Sequence, residues 1–172
     1  LPPDVNYSEA VFAVEKTAKG ALAVRYALGA IRNVGRPAAA LVDARKDGPF
    51  KDIAEMADRL DSARVNKRQV ETLARAGAFD GMEPNRAQVF AGAETVARAA
   101  QAAAEERTSN QSNLFGGVDV APSLRLPQTE PWSDAEQLSH ELEAICMYLS
   151  AHPLDAFAPQ MKRLGVMSIA DL

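Results

Sequence analysis

The feature that most constrains this chain is a series of helical-period apolar stripes, each cut off by a glycine, proline or asparagine. Phe50, Ile53, Ala54, Met56, Ala57 and Leu60 recur at the three-and-four spacing of one helix face. Asn66 then stands as an N-cap before an amphipathic run through Leu73 and Ala76, and Gly77 supplies the stop. Asn85 opens a longer run from Arg86 to about Arg107, whose Val89, Phe90, Ala93, Val96, Ala97 and Ala100 share a face. Short helices with one apolar face each bury those faces against one another, which predicts a mainly α fold.

The 172 residues, 47% hydrophobic and 24% charged, suit a soluble globular protein of one medium domain or two small ones. Cys146 is the single cysteine, so no internal disulfide framework exists, and with His140 and His152 it lacks zinc-ligand spacing; a reducing, cytoplasmic setting is expected. No apolar run is long enough to span a bilayer, so no membrane partner is expected. The start, Leu1-Pro2-Pro3-Asp4, has neither an initiator methionine nor a basic-then-apolar signal and reads as a cut from a longer chain. The net charge of −4 is uneven: residues 1–107 carry 16 Lys/Arg against 15 Asp/Glu, and residues 108–172 carry 3 against 8. Within residues 25–75 the balance is 11 basic to 7 acidic, a local excess that suits phosphate contacts or simply a solvated face.

At the amino end, residues 10–14 and 21–26 are short apolar runs with β-branched and aromatic members, separated by a polar stretch ending in Gly20, and predict a β-hairpin. Leu28 to Pro37 then holds a short helix, a tight turn at Gly35, and Pro37 at the first turn of a new helix running to about Lys46. A helix, hairpin and helix of this kind can hold a nucleic-acid backbone, with exposed N–H groups on a phosphate and no base read. An ordinary corner between two helices has the same pattern, and the turn alone leaves both open. Asn66 to Asn85, with Gly77, Phe79-Asp80-Gly81 and Pro84 between its helices, repeats the unit.

From Thr108 to Pro131 the composition turns to Ser, Asn, Gly, Pro, Gln and Thr, which predicts an exposed, mobile segment. Ser133 with Glu136 is a capping box, and Leu138, Leu142, Ile145, Cys146 and Leu149, extended by Met147 and Tyr148, form a stripe expected to face a core. His152-Pro153 closes that helix, Leu154 to Leu164 predicts another, and Val166 to Leu172 is a candidate start of a further domain. Inside the polar segment stands Gln111-Ser112-Asn113-Leu114-Phe115. An adjacent Leu-Phe pair with a glutamine suits a peptide that fills a preformed apolar pocket while the amide bonds at its rim, or a local packing anchor.

Five motifs settle that choice by their order. Leu1-Pro2-Pro3-Asp4-Val5-Asn6, Leu28-Gly29-Ala30-Ile31-Arg32-Asn33-Val34-Gly35, Val65-Asn66-Lys67-Arg68, Ala76-Gly77-Ala78-Phe79-Asp80 and Tyr148-Leu149-Ser150-Ala151-His152-Pro153-Leu154 succeed one another in an order that resembles the bacterial replicative DNA polymerase III alpha subunits, of the C family. The resemblance covers nearly the whole chain. It implies the end of the fingers with the β-hairpin at 1–27, a tandem helix-hairpin-helix DNA-binding domain at 28–107, a flexible loop with a clamp-binding motif at 108–132, and helices leading to an oligonucleotide-binding fold at 133–172. It implies a sliding clamp (the beta subunit) bound by Gln111, Ser112, Asn113, Leu114 and Phe115, and duplex DNA contacted by Arg32, Asn33, Val34, Gly35, Arg36, Lys67, Arg68 and Gly77, with other replisome subunits joined through the parent protein.

Many members of that family have a second glycine just after the first-hairpin glycine, where this chain has Arg36-Pro37; Pro37 offers no N–H, and a contact from the Arg36 side chain would compensate. Nucleotidyl transfer needs carboxylates that hold two metal ions. No Asp-x-Asp pair occurs here, so the resemblance puts the catalytic aspartates and the Mg2+ of the parent polymerase upstream, and no catalytic residue, metal ligand or cofactor is expected in these residues. The expectation is a module that binds clamp and duplex; the competing one is a stand-alone, sequence-independent duplex-binding module whose Leu-Phe loop packs on the long helix.

Overall fold

A computed structural model describes residues 1–60, 65–108 and 124–166. These form a two-stranded antiparallel sheet, β1 (Ala13–Lys16) and β2 (Leu22–Arg25), followed by α1 (Ala38–Ala44), α2 (Ile53–Arg59), α3 (Lys67–Arg75), α4 (Arg86–Ala91), α5 (Ala93–Thr108), α6 (Asp134–Ile145) and α7 (Ala158–Arg163), with single 3-10 turns at Leu28–Ala30 and Asp155–Phe157. The fold is mainly α, as the stripes predict. No described helix is long and apolar enough to cross a membrane.

The β-hairpin lies two to three residues later in its first strand than the apolar runs suggest. Its register pairs Val14 with Val24 and Glu15 with Ala23. Glu15 and Arg25 are diagonal neighbours on one face, and a forked Arg25 to Glu15 pair (2.6 and 2.8 Å) draws Glu15-Lys16 into the ladder instead of the turn. Ala10 is drawn the other way, its carbonyl accepting the Gly29 N–H at 3.1 Å. Val14, Leu22 and Val24 point away from the body and are exposed.

The core is built where α2, α3 and α5 meet, with α4 and α6 packed on α3. Phe50, Ile53, Met56, Ala57 and Leu60 are buried as their spacing requires, whereas Ala54 is exposed. α3 begins at a full capping box: the Asn66 side chain accepts the Gln69 N–H (3.1 Å) and the Gln69 side chain accepts the Asn66 N–H (2.8 Å). Val70, Leu73 and Ala74 face inward from it.

The helix expected to run unbroken from Arg86 to Arg107 is divided at Gly92 into α4 and α5. Gly92 closes α4 with ψ near 0° and leaves room for a close approach: a Cβ there would lie 2.6 Å from Leu126 Cδ2 and 3.1 Å from Pro127 Cδ. Residues 124–132, expected in a mobile loop, are therefore packed along α4. The Asn85 side chain donates to the Thr129 carbonyl at 2.8 Å, and Trp132 lies on His140 with ring centroids 4.0 Å apart, beside Phe90.

α6 starts at the Ser133–Glu136 capping box and ends sooner than its stripe suggests, at Ile145, because Cys146 takes the left-handed conformation (φ 61°). Leu138 and Ile145 are buried, but Leu142, Cys146, Met147, Tyr148 and Leu149 are exposed, so only the first part of that stripe faces a core. Residues 167–172 lie outside the described residues.

Two outcomes follow for stability. Asn66→Ala removes the cap of the helix that α4, α5 and α6 all pack on, and urea denaturation is expected to show a loss of about 1 kcal/mol. His140 is held below its ordinary pKa by burial first and by the nearby Arg75 charge, against the opposing pull of Glu143 and Glu136. The unfolded chain thus takes up this proton first as pH falls, so the contribution is complete above about pH 6.5 and is lost below it. A thermal-melt series is expected to show a falling midpoint below that pH, and His140→Phe is expected to reduce the decline.

Candidate nucleic-acid interface

The first hairpin is a loop with its apolar residues turned in and its polar ones out. After the 3-10 turn, Ile31 is extended (φ −68°, ψ 134°) and its carbonyl accepts the Val34 N–H at 3.2 Å, closing the turn. Ile31 and Val34 are buried, while Arg32, Asn33, Gly35 and Arg36 are exposed. Asn33 (φ 60°) and Gly35 (φ 50°) are both left-handed, the conformation that asparagine and glycine tolerate best. Pro37 sits just before α1, whose first N–H, from Ala38, bonds to the Gly35 carbonyl at 3.0 Å.

The Arg32 N–H is already used, donating to the Ala144 carbonyl at the end of α6 (3.0 Å). The N–H groups of Asn33, Gly35 and Arg36 have no acceptor among the described residues, and the Arg32 and Arg36 guanidinium groups have no carboxylate partner there. An exposed loop with three unused donors and two unpaired cations fits an oxyanion such as a phosphate. Val34 belongs to it only as the buried anchor.

Lys67 and Arg68 lie on the first turn of α3. Lys67 pairs with Glu94 at 3.3 Å, both side chains being more than half exposed, so solvent screens the pair and little is forfeited if Lys67 turns to a phosphate. Arg68 is exposed and its side chain has no partner among the described residues. No described hydrogen bond or ion pair joins these two side chains to the first hairpin.

The second hairpin is closed. The Gly77 N–H bonds to the Ala74 carbonyl and the Ala78 N–H to the Leu73 carbonyl, both at 3.0 Å, a Schellman end that requires the left-handed Gly77 (φ 77°). Gly77 is buried, and a Cβ there would run into the Arg86 guanidinium. Arg86, only 6% exposed, reaches over the turn to Asp80 through its Nε (2.9 Å) and Nη2 (2.6 Å), and through Nη1 to the fully buried Glu141 (3.4 Å). Burial opposes the Arg86 charge, but the Asp80 bonds and the two carboxylates outweigh it and raise its pKa. Gly77 therefore faces protein and does not share the surface of Arg32 to Arg36. The physical reason is that the Arg86 guanidinium lies against the turn, in the space a side chain at Gly77 would take.

Glu141 and Arg86 are the important residues that motif reading misses. A signal exists: Glu141 stands three residues after Leu138 and four before Ile145, a carboxylate inside an apolar stripe. Gln111, Ser112, Asn113, Leu114 and Phe115 lie outside the described residues. On the described side before them, Arg107 donates to the Asp58 and Leu60 carbonyls at the end of α2, and on the other, Leu126 packs at Gly92. Among the described residues no group of three or more His, Cys, Asp or Glu could hold a metal ion.

The helix-hairpin-helix motif family matches residues 1–89, more than half of the chain, and the chain belongs to that family. The chain is also 43% identical over 171 residues to the DNA polymerase III subunit alpha of Caulobacter vibrioides, covering 98% of this chain and 14% of that protein. Against the same subunit of Campylobacter jejuni it is 36% identical over 176 residues (99% and 14%), and against that of Neisseria meningitidis serogroup A, 34% over 175 residues (100% and 15%). The resemblance carried by the five motifs thus extends over nearly the whole chain, which spans about one-seventh of the length of these relatives.

Proposed function

We propose that this helix-hairpin-helix chain is the segment of a bacterial replicative DNA polymerase that steadies the duplex and tethers the enzyme to its sliding clamp. The observation that carries the duplex part is the first hairpin, where the unused N–H groups of Asn33, Gly35 and Arg36 stand with the Arg32 and Arg36 side chains. Such a surface binds phosphate oxygens, fixes position along the backbone and reads no base. Lys67 and Arg68 add sequence-independent attraction from the start of α3. With a net charge of −4 the chain binds duplex weakly by itself, and a clamp tether would supply the effective concentration.

The clamp part rests on the sequence Gln111-Ser112-Asn113-Leu114-Phe115 and its place in the order of motifs. Leu114 and Phe115 would fill the pocket and the Gln111 amide would bond at its rim. The parent enzyme is proposed to be a cytoplasmic DNA-directed DNA polymerase, a nucleotidyltransferase acting in DNA replication with other replisome subunits. The Mg2+ ions of such a reaction find no fitting donor set among the described residues. The domain boundaries expected from the sequence stand as part of this proposal, with residues 124–132 assigned to the helical body.

In fluorescence anisotropy with labelled duplexes of different sequence, Arg32→Ala/Arg36→Ala is expected to weaken binding to all of them alike and to reduce the log–log salt slope by about 2, since each phosphate that goes unneutralised takes about 1 from it. Unchanged affinity would overturn the assignment of the hairpin. Leu114→Ala/Phe115→Ala is expected to remove about 3 to 6 kcal/mol of clamp binding, about 1.5 to 3 for each large apolar side chain, and to leave the circular dichroism melt in place. Clamp binding that survives the double change refutes the docking peptide, and loss of folding instead makes the pair a packing anchor.

A further inference from the structure

The last two turns of α6 touch both hairpin units. At its end the Ala144 carbonyl accepts the Arg32 N–H (3.0 Å), and the Ile145 carbonyl accepts the Tyr26 hydroxyl (3.2 Å). One turn earlier, Glu141 Oε1 accepts from Arg86, which lies over the second hairpin. Glu141 Oε2 accepts the N–H groups of Leu149 (2.8 Å) and Ser150 (3.1 Å) and the Ser150 hydroxyl (3.1 Å). The carboxylate is fully buried, so each of these bonds replaces water that cannot reach it.

We infer that Glu141 is a positioning residue for duplex binding: it locks α6 to the closed second hairpin, and α6 in turn fixes the open first hairpin through the Ala144 carbonyl. The inference rests on the reading of Arg32 to Arg36 as the phosphate contact. Glu141 touches no ligand, and its effect travels through one helical turn and one backbone hydrogen bond. The carboxylate is required and shape alone is not enough. A glutamine would turn its NH2 group either toward Arg86 or toward the Leu149 and Ser150 N–H groups, and donor would then face donor on one side. Arg75, bonded to Glu143 at 3.0 Å, holds the outer face of the same turn, so the strut is tied to α3 as well.

The test is a double-mutant cycle on the 172-residue chain with a fluorescein-labelled duplex of mixed sequence, at a temperature where circular dichroism shows every variant folded. Glu141→Gln is expected to weaken binding about fivefold and to reduce the salt slope by about 1. In the Arg32→Ala/Arg36→Ala background the same change is expected to have a clearly smaller effect, because two of the phosphate contacts it positions are gone and only the backbone N–H groups of the loop remain. An equal weakening in both backgrounds would overturn the positioning role and leave the hairpin assignment intact. If Arg32→Ala/Arg36→Ala binds like the parent chain, the hairpin assignment itself fails and the inference falls with it. Should Glu141→Gln not fold, Arg86→Lys, which keeps the charge but loses the fork to Asp80 and Glu141, is put through the same cycle; failure of both to fold makes the pair purely structural and overturns the inference.

Discussion

The buried pair of Arg86 and Glu141 is the constraint on which the arrangement of the helices depends. Ion pairs out of water gain little net stability, since desolvation of each charge costs several kcal/mol and attraction only roughly repays it, yet removing one partner costs about 3 to 5 kcal/mol. Such a pair acts mainly by excluding alternatives: α6 docks where Glu141 meets the Arg86 guanidinium, while the amides of Leu149 and Ser150 fold back onto the same carboxylate. Both oxygens of that carboxylate have partners, and Asp80 takes the remaining face of the arginine. The apolar faces of α3 and α6 would tolerate some sliding. The carboxylate does not.

Two units with the same sequence logic consequently diverge in what they can do. In the second, the turn after α3 is covered by Arg86 and also bound by the amino-terminal segment, since the Val5 N–H donates to the Ala78 carbonyl at 2.9 Å. That segment is fixed further by Asn6, whose side-chain amide exchanges hydrogen bonds with the backbone of Phe50 at 2.8 and 2.9 Å. The second unit is thereby the hub on which the first stretch of chain and α6 converge. Among the described residues, the first unit keeps both the donors and the cations of its turn toward solvent, whereas the second exposes Lys67 and Arg68 on the first turn of α3 but not its own turn. One open and one closed unit give a surface that is rigid from behind and available in front, which is what a backbone contact needs if it is to hold a duplex without ordering costs of its own.

What is legible in the sequence depends on whether the signal is local. Asn66, Asn85 and Ser133 are readable as caps because a cap is a matter of a few adjacent residues, and each side chain accepts the N–H three residues on. Arg32, Asn33, Gly35 and Arg36 are predictable as an outward turn for the same reason, standing among apolar anchors. What local reading misses depends on distant partners. Gly92 looks like a tolerated helix residue until Leu126 arrives beside it, and Gly77 looks like an open turn until Arg86, nine residues on, folds over it. Leu142 and Leu149 fit the period of a core face, but the left-handed Cys146 ends the helix and turns the later part of the stripe outward. A period can show that residues share a face of a helix, but not that the helix continues.

The same distinction bears on the proposed tether. A peptide joined to a body by one end explores a volume set by its whole length, whereas one joined by both ends is confined by the shorter of its two arms. Here the described flanks are fixed on both sides: Arg107 ties the end of α5 to the carbonyls that close α2, and Leu126, Thr129 and Trp132 hold the returning segment against α4 and α6. Gln111 lies three residues beyond Thr108, and Phe115 nine before Leu124, so at about 3.3 to 3.6 Å per residue the nearer arm reaches roughly 10 Å. A clamp seized by this peptide would therefore sit close against the helical body and not at the end of a long leash. Close confinement would raise the effective concentration of the proposed duplex contacts, and weak binding by the first hairpin would then suffice, since the proposed tether would bring duplex and loop together.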